Sequence, residues 1–507
     1  MLGIDIGTNA CKAALFDTEG RLIFRASKEY PVLYPQPTWA EQNADMWWNA
    51  VRANIKEILL KIRDHSKNIV GIAVDSQREA VVHLDAHERV LANSLIWLDQ
   101  RTMPQAEKIR KLLPARKVIE TALVPIDYFY SATKIMWMKE NRPGIFKKTQ
   151  SLLFPKDYVV FKLTSQKTTD HSMASRSMIF DVSRRRWSEE LCDGIGIPVS
   201  LLPPSTEATD VVGEITLKAA ATTGLATGTP VVSGGGDRPC EAIGAGMSRP
   251  MQLNIGTGTA TVMTTPLVKA KADSTGRIDC CCHVIPNRWE YEIVISTTGA
   301  SLRWFRDNFA SEEVQKAKRT DRGAYEYLDQ LAQQVKPGSD GLFYYPYPMG
   351  AKAPRFSPNA TAVFFGLKLM HKKAHLVRSI LEGVAFQYAD SLELLKDLGV
   401  RIKEASIVGG EARSSFWNQI KANALGRPVR RPAVEDAATL GSAILASVGI
   451  GIHSSVERAV RNMVRIEKIY RPRSKERQIY TSLCQRYWQI YSDVEKAYGS
   501  NPSFLTR

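Results

Sequence analysis

Leu2-Gly3-Ile4-Asp5-Ile6-Gly7-Thr8-Asn9-Ala10-Cys11-Lys12-Ala13-Ala14-Leu15-Phe16-Asp17 opens the chain with an apolar run, a glycine turn and a second apolar run. Its alternation and breakers read as strand, tight turn, strand, and Thr18-Glu19-Gly20 marks the turn that follows. Amides of Gly7, Thr8 and Asn9 in such a turn, with a hydroxyl and Lys12 close by, suit a phosphate cradle. The stretch lacks the lysine-serine ending of a P-loop and is too short for a dinucleotide fingerprint, so alone it is equally a plain β-hairpin. The same scheme recurs about halfway along the chain as Leu253-Asn254-Ile255-Gly256-Thr257-Gly258-Thr259-Ala260-Thr261-Val262. Such a recurrence predicts two halves built alike, residues 1–247 and 248–507, whose hairpins face a common cleft.

Between the hairpins lies Val231-Val232-Ser233-Gly234-Gly235-Gly236-Asp237-Arg238-Pro239, a β-branched run ending in three glycines, an aspartate and a proline. The pattern predicts a strand, a tight turn and a helix, with bare backbone at the turn for a ligand to approach and Asp237 beside it. An aspartate directly before a helix with proline near its start is also an ordinary N-cap, and both readings stand. Upstream, Ile69-Val70-Gly71-Ile72-Ala73-Val74-Asp75 reads as a strand delivering Ser76-Gln77-Arg78-Glu79 at its carboxyl end, where ligands sit in open α/β sheets. Ser94-Leu95-Ile96-Trp97-Leu98-Asp99-Gln100-Arg101 reads as another strand-like run. Arg78, Glu79, Trp97, Asp99 and Arg101 combine donors, acceptors and a flat apolar wall, which suits a polyhydroxylated ligand; surface ion pairs around a core tryptophan would look the same. Further on, Ala405-Ser406-Ile407-Val408-Gly409-Gly410-Glu411-Ala412-Arg413 repeats the strand-to-diglycine pattern, and a glycine pair lets a flat base lie on backbone. The small residues of Glu435-Asp436-Ala437-Ala438-Thr439-Leu440-Gly441-Ser442-Ala443 are those of a closely packed helix.

At 507 residues the chain exceeds what one hydrophobic core serves, and its 44% hydrophobic and 24% charged residues are those of a globular protein. No apolar run reaches the length of a membrane span and no export signal opens the chain, so a cytoplasmic protein is expected. The formal charge is +16, and its densest basic cluster is in the tail, at Arg458, Arg461, Arg465, Lys468, Arg471, Arg473, Lys475, Arg477 and Arg486. No nucleic-acid motif accompanies it, so it reads as a solvated surface that favours anionic small molecules rather than nucleic acid. Seven scattered cysteines are no disulfide framework, and adjacent members of Cys280-Cys281-Cys282 on a strand point to opposite faces and cannot converge on one ion.

In order, Ile4-Asp5-Ile6-Gly7-Thr8, Gln77-Arg78-Glu79, Trp97-Leu98-Asp99-Gln100-Arg101, Gly234-Gly235-Gly236-Asp237, Ile255-Gly256-Thr257-Gly258 and Val408-Gly409-Gly410-Glu411-Ala412-Arg413 resemble the motifs of the FGGY carbohydrate kinases, over about residues 1 to 450. The resemblance implies an α/β, two-domain actin-like ATPase and sugar-kinase (ribonuclease H-like) fold with ATP and sugar in an interdomain cleft. It implies that Asp237 is the general base and that Asp5 is the carboxylate near ATP-bound Mg²⁺. Thr8, Asn9, Lys12, Gly256 and Thr257 would face the phosphates, and Gly409, Gly410, Arg413 and Asn418 would lie by the adenine. Gln77, Arg78, Glu79, Trp97, Asp99 and Arg238, with Asp237, would line the sugar pocket. Gln77-Arg78-Glu79 is more similar to glycerol kinases, whereas Trp97 to Arg101, Phe154-Pro155-Lys156-Asp157-Tyr158 and Ser301-Leu302-Arg303-Trp304-Phe305-Arg306-Asp307 are more similar to xylulokinases. The expected partner is a small sugar or polyol, first a ketopentose such as D-xylulose, with glycerol, gluconate, ribulose or a quorum-signal sugar as competitors. A homodimer is the candidate assembly, and a non-catalytic ATP-binding regulator of the actin type is the alternative of another class.

Overall fold

The computed structural model describes residues 1–63, 66–355, 357 and 359–499. Its chain divides into two compact units: Met1–Arg249 with Pro266–Tyr291 and Asp436–Arg465, and Pro250–Thr265 with Glu292–Glu435 and Ile466–Arg507. Among the described residues no helix is long and apolar enough to cross a membrane.

The first unit is built on six strands: β1 (Leu2–Ile6), β2 (Ala10–Phe16), β3 (Leu22–Glu29), β4 (Ile72–Ser76), β5 (Val211–Glu214) and β6 (Pro230–Gly236), in the spatial order β5-β6-β4-β1-β2-β3. β1 and β2 form the expected hairpin, closed by the Gly7 amide on the Ala10 carbonyl at 3.0 Å. β4 runs parallel to β1 and β6 parallel to β4, which is why both read as near-continuous apolar runs: central parallel strands are covered on both faces. Helix α1 (Ala44–Lys61) begins at an Asn43 side chain that accepts the Asp45 amide, and its Trp47, Val51, Ile55 and Ile58 recur at helical spacing. They pack with Ile4, Ile72 and Val74 in one core, each large side chain contributing about 1.5–3 kcal/mol by burial.

The three glycines are not the expected open turn. Gly234, Gly235 and Gly236 are the buried end of β6, and α2 (Asp237–Gly244) follows with Gly236, not Asp237, at its N-cap. Gly234 has φ +74°, where β6 slips register against β4, and a Cβ there would stand 1.9 Å from the Val74 carbonyl oxygen. A Cβ on Gly236 would stand 2.6 Å from Cδ of Arg78. The missing side chains therefore make room for the neighbouring strand and for Arg78 rather than for a ligand. Glycine also permits the close crossing of α2 and the helix Ala437–Gly449: a Cβ on Gly244 would lie 1.8 Å from the Ala437 carbonyl oxygen, so the small residues there serve packing, as read.

Only Ser94–Leu95 of the run ending at Arg101 is strand, and it pairs with Glu41–Gln42; the rest is turn, because Asp99 folds back onto its own neighbours. Cys280, Cys281 and Cys282 are buried along the strand Asp279–Cys282.

In the second unit β7 (Gln252–Thr257) and β8 (Thr261–Leu267) form the second hairpin, closed by the Gly258 amide on the Ala260 carbonyl at 2.9 Å. β9 (Glu404–Gly409) lies parallel to β7, as β4 does to β1. β10 (Val429–Pro432) is parallel to β9, and β11 (Ile466–Tyr470) closes that edge antiparallel. Helix α3 (Gly299–Phe309) starts beside the hairpin tip, where the Thr298 and Ala300 amides reach the Thr259 carbonyl at 3.2 Å. Helix α4 (Ser415–Leu425) follows β9 and is capped by Ser414, whose hydroxyl accepts the Trp417 amide at 3.0 Å.

Candidate active site

The carboxyl ends of β1, β4 and β6 gather acidic side chains in the first unit. Parallel register sets Asp5 of β1 beside Asp75 of β4, and Asp237 is the first residue past β6. Asp75 is fully buried and accepts the Ser442 hydroxyl at 2.6 Å. Burial drives its carboxyl well above the usual range, and the charge of Asp5 adds to the rise. Burial likewise pushes Asp5 up to about 6; Asp237 and Asp436 add to that rise, while Lys12 and a hydrogen bond with Asp75 oppose it. Lys12, directly across the hairpin from Asp5, is drawn to Asp436, with Nζ 2.6 Å from Oδ1. Lys12 is thus already engaged by a carboxylate from the far end of the sequence, where a free phosphate ligand was expected.

Asp237 is about a quarter exposed. Its Oδ1 accepts the Arg238 amide at 2.9 Å and lies 3.3 Å from Nε of Arg78, and its Oδ2 is 3.8 Å from Nε of Arg238. Arg78, nearly buried, fills the space that Gly236 leaves empty. Two guanidinium groups hold an anionic oxygen acceptor at a strand end, fit to take a hydrogen bond and then a proton from a hydroxyl.

The polar wall around it splits into an accessible set and a supporting set. Trp97 is exposed and donates through Nε1 to the Thr8 hydroxyl at 2.8 Å. That hydroxyl reaches Oε1 of Gln77 at 3.3 Å, and Gln77 donates to Gln42 at 2.7 Å, so Thr8, Gln77 and Trp97 are one connected row. Asn9 is exposed at the hairpin tip. Asp99 does not belong to this surface. It is fully buried, accepting both Arg101 (Nη2 to Oδ2, 2.7 Å) and the Ala40 amide (2.7 Å), while Arg101 pairs with Glu41 at 2.8 Å and lies on the Trp39 ring at 3.5 Å. In this structure it fixes Arg101. Glu79 is buried and held by Arg176 at 2.8 Å. Lys156, also buried, joins Asp157 at 2.7 Å to Asp170 at 3.2 Å and donates to the Ser233 carbonyl at 3.1 Å, so it braces the start of the glycine strand end.

In the second unit Gly409, Gly410 and Arg413 are exposed, and nothing lies within 4 Å of where a Gly410 Cβ would stand, so a bare platform exists there. Gly409 has φ +86°, and a side chain on it would collide with the Thr257 carbonyl oxygen at 2.0 Å. Thr257 and Gly256 are buried; the Thr257 hydroxyl donates to the Val408 carbonyl at 2.6 Å and accepts the Glu411 amide at 3.2 Å. These two therefore hold the platform, and the exposed hairpin tip is Gly258-Thr259. Asn418 is fully buried, its amide donating to the Ala412 carbonyl at 2.8 Å, so it supports the turn. Glu411, nearly buried, accepts Lys421 at 2.7 Å and the Tyr388 hydroxyl at 3.0 Å.

Residues that sequence reading did not single out include Asp75, Arg176, Asp436 and Ser442. Asp75 carried a signal, since Ile72-Ala73-Val74-Asp75 repeats the apolar run to aspartate of Leu2-Gly3-Ile4-Asp5. The others carry none, because their partners are 97, 424 and 367 positions away. Among the described residues no group of three or more His, Cys, Asp or Glu side chains forms a metal cage.

Comparison with known proteins agrees with this geometry. Residues 1–244 match the N-terminal domain of the FGGY family of carbohydrate kinases, and residues 251–450 match its C-terminal domain. The chain is 30% identical over 504 residues to a xylulose kinase of Bacillus subtilis (strain 168), covering 99% of both chains. It is 30% identical over 499 residues to a gluconokinase of Bacillus licheniformis, covering 98% of this chain and 96% of that one. Among solved structures, xylulose kinase from Rhodospirillum rubrum superposes with a TM-score of 0.89 at 27% identity, covering 98% of this chain and 99% of the other. With the paired hairpins, the strand-end aspartates and the diglycine platform all carried by one continuous full-length match, the chain belongs to the FGGY family of carbohydrate kinases.

Proposed function

We propose that this ATP-dependent carbohydrate kinase phosphorylates a ketopentose, D-xylulose first, in the cytoplasm. The observation that carries the reading is Asp237: a partly exposed carboxylate, fixed by Arg78 and Arg238 at the end of β6. A sugar hydroxyl donating to Asp237 is oriented for in-line attack on the terminal phosphorus of ATP, and its proton passes to the carboxylate as the new P–O bond forms and the bond from that phosphorus to the bridging oxygen breaks, releasing ADP. Trp97, Gln77 and Glu79 supply the apolar wall, the amide and the carboxylate for the remaining hydroxyls. Within the second unit the nucleotide is assigned to the Gly409-Gly410 platform with Arg413, and the exposed Gly258-Thr259 tip offers backbone amides for phosphate; within the first, the amides at Thr8 and Asn9 offer the same chemistry.

Mg²⁺ fits the donor set. Burial together with the charges of Asp237 and Asp436 raises the Asp5 carboxyl to about 6 against the pull of Lys12, and a divalent ion beside Asp5 would favour its charged form. Asp5 is the residue assigned to hold it, and when bound the ion would neutralise charge on the ATP phosphates.

A coupled ADP-release screen across D-xylulose, ribulose, glycerol and gluconate tests the reading. D-Xylulose is expected to give the highest kcat/KM. Gluconate, the competing acceptor because the gluconokinase relative is equally identical, would displace it by ranking first. No stimulation by any of the four would overturn the small-sugar assignment.

A further inference from the structure

Arg176 is 1% exposed, and nothing in the local sequence marks it. Its Nε donates to Oε1 of Glu79 at 2.8 Å and its Nη1 to Oδ2 of Asp279 at 2.8 Å. Its guanidinium also lies over the rings of Phe129 and Tyr130, 5.0 and 5.1 Å from their centroids. The recipient is unusual as well. Glu79 has φ +67°, the left-handed region that a long side chain rarely adopts, and the Ser131 hydroxyl donates to its carbonyl at 3.1 Å. Both backbone and side chain of Glu79, in the bend that follows β4, are therefore held by residues distant in the chain.

A purely structural account of this arrangement is weak. One cation with two carboxylates, all nearly buried and surrounded by Phe129, Tyr130 and Cys281, is no more stabilising than well-packed apolar groups of the same volume. Backbone strain at a residue clamped in this way belongs with functional sites, where geometry is worth more than local stability. We propose that Arg176, anchored by Asp279, is the positioning residue that aims the Glu79 carboxylate at a substrate hydroxyl, so that the Glu79–Arg176–Asp279 chain sets sugar affinity rather than the phosphoryl-transfer step. The proposal rests on the sugar-kinase reading above. A carboxylate offers acceptors only, so the group it recognises is a hydroxyl that donates.

The test is a kinetic double-mutant cycle on the full chain with the best sugar from the screen, comparing Glu79→Gln, Arg176→Met and the pair, with Arg176→Lys as the conservative variant. Arg176→Met is expected to raise the sugar KM about ten- to hundredfold, the worth of a hydrogen bond to a charged group, with the KM for ATP unchanged within about twofold. Because both residues act through one contact, the double variant should be no worse than the poorer single variant. Arg176→Lys should restore part of the sugar KM, and Asp279→Asn should raise it by loosening Arg176. Sugar KM unchanged in a folded Arg176→Met, or effects that multiply in the double variant, would overturn the proposal. If Arg176→Met does not fold, Arg176→Lys and Asp279→Asn decide on the same readout, and an unchanged sugar KM in both overturns it. A parent enzyme that phosphorylates none of the sugars removes the underlying reading, which is distinct from an active parent whose sugar KM ignores Arg176.

Discussion

Sequence alone left two readings of Asp237, general base and helix N-cap, and the structure removes the second. The N-cap of α2 is Gly236, so the Asp237 carboxylate is the first side chain of the helix and interacts with Arg78 and Arg238. Asp237→Asn keeps the size and an acceptor oxygen but removes the base. Its kcat should fall about a hundred- to ten-thousandfold while its melting temperature stays within a few degrees of the parent. Steady-state kinetics beside a thermal melt check both halves. Asp5 makes the opposite trade. Its carboxyl is raised from 3.8 to about 6, so the folded state binds that proton more tightly than the unfolded chain. The ligand-free protein therefore loses stability from this group as pH rises from about 4 through 6. Asp5→Asn should make the ligand-free protein more stable at pH 8, by about 1–3 kcal/mol, and nearly equal at pH 4, while abolishing turnover. Urea unfolding at the two pH values measures it; a variant less stable at pH 8 would contradict the cause assigned to the shift.

At the scale of the element, β6 shows why a pattern can be read correctly and understood wrongly. Gly234-Gly235-Gly236 announced a place where side chains are forbidden, and they are, but what excludes them is Val74, Val284 and Arg78 in turn, which no local reading could reveal. The two ends of the triplet should respond differently to alanine. Gly234→Ala sets a Cβ 1.9 Å from a backbone oxygen at positive φ and should cost on the order of 3 kcal/mol of stability. Gly236→Ala meets only the flexible Arg78 at 2.6 Å, so it should displace that guanidinium from Asp237 and lower kcat more than it lowers stability. Chemical denaturation and kinetics on the two variants distinguish them. In the second unit, Lys421→Met would strand the nearly buried Glu411 carboxylate at the platform turn and should destabilise the protein by about 3–5 kcal/mol, measurable in the same unfolding assay.

At the scale of the whole molecule, the repeated hairpin was the legible feature. Leu2 to Asp17 and Leu253 to Val262 each form two antiparallel strands with a parallel neighbour on β1 and β7, because strand, glycine turn and β-branched run are local signals. The strand ends and turns that carry Asp5, Thr8, Gln77, Arg78, Trp97, Asp237, Gly409 and Gly410 were legible for the same reason, being set by local signals. The burial of Asp99, Thr257 and Asn418 was not legible, because it depends on the partners the fold brings to them: Arg101, the Val408 carbonyl and the Ala412 carbonyl. Asp436 and Arg176 escaped altogether, since their meaning comes from partners far away in the chain.

At the centre of the proposed reaction, phosphate passes from ATP to a sugar hydroxyl and Asp237 accepts the proton. Mass spectrometry of D-xylulose incubated with ATP, Mg²⁺ and either the parent protein or Asp237→Asn tests it most directly. The predicted result is a sugar monophosphate formed with the parent, in step with ADP, and its loss by at least about a hundredfold with a variant that melts normally. A sugar phosphate formed equally by both proteins, or ADP released by the parent with no phosphorylated sugar, would contradict the account.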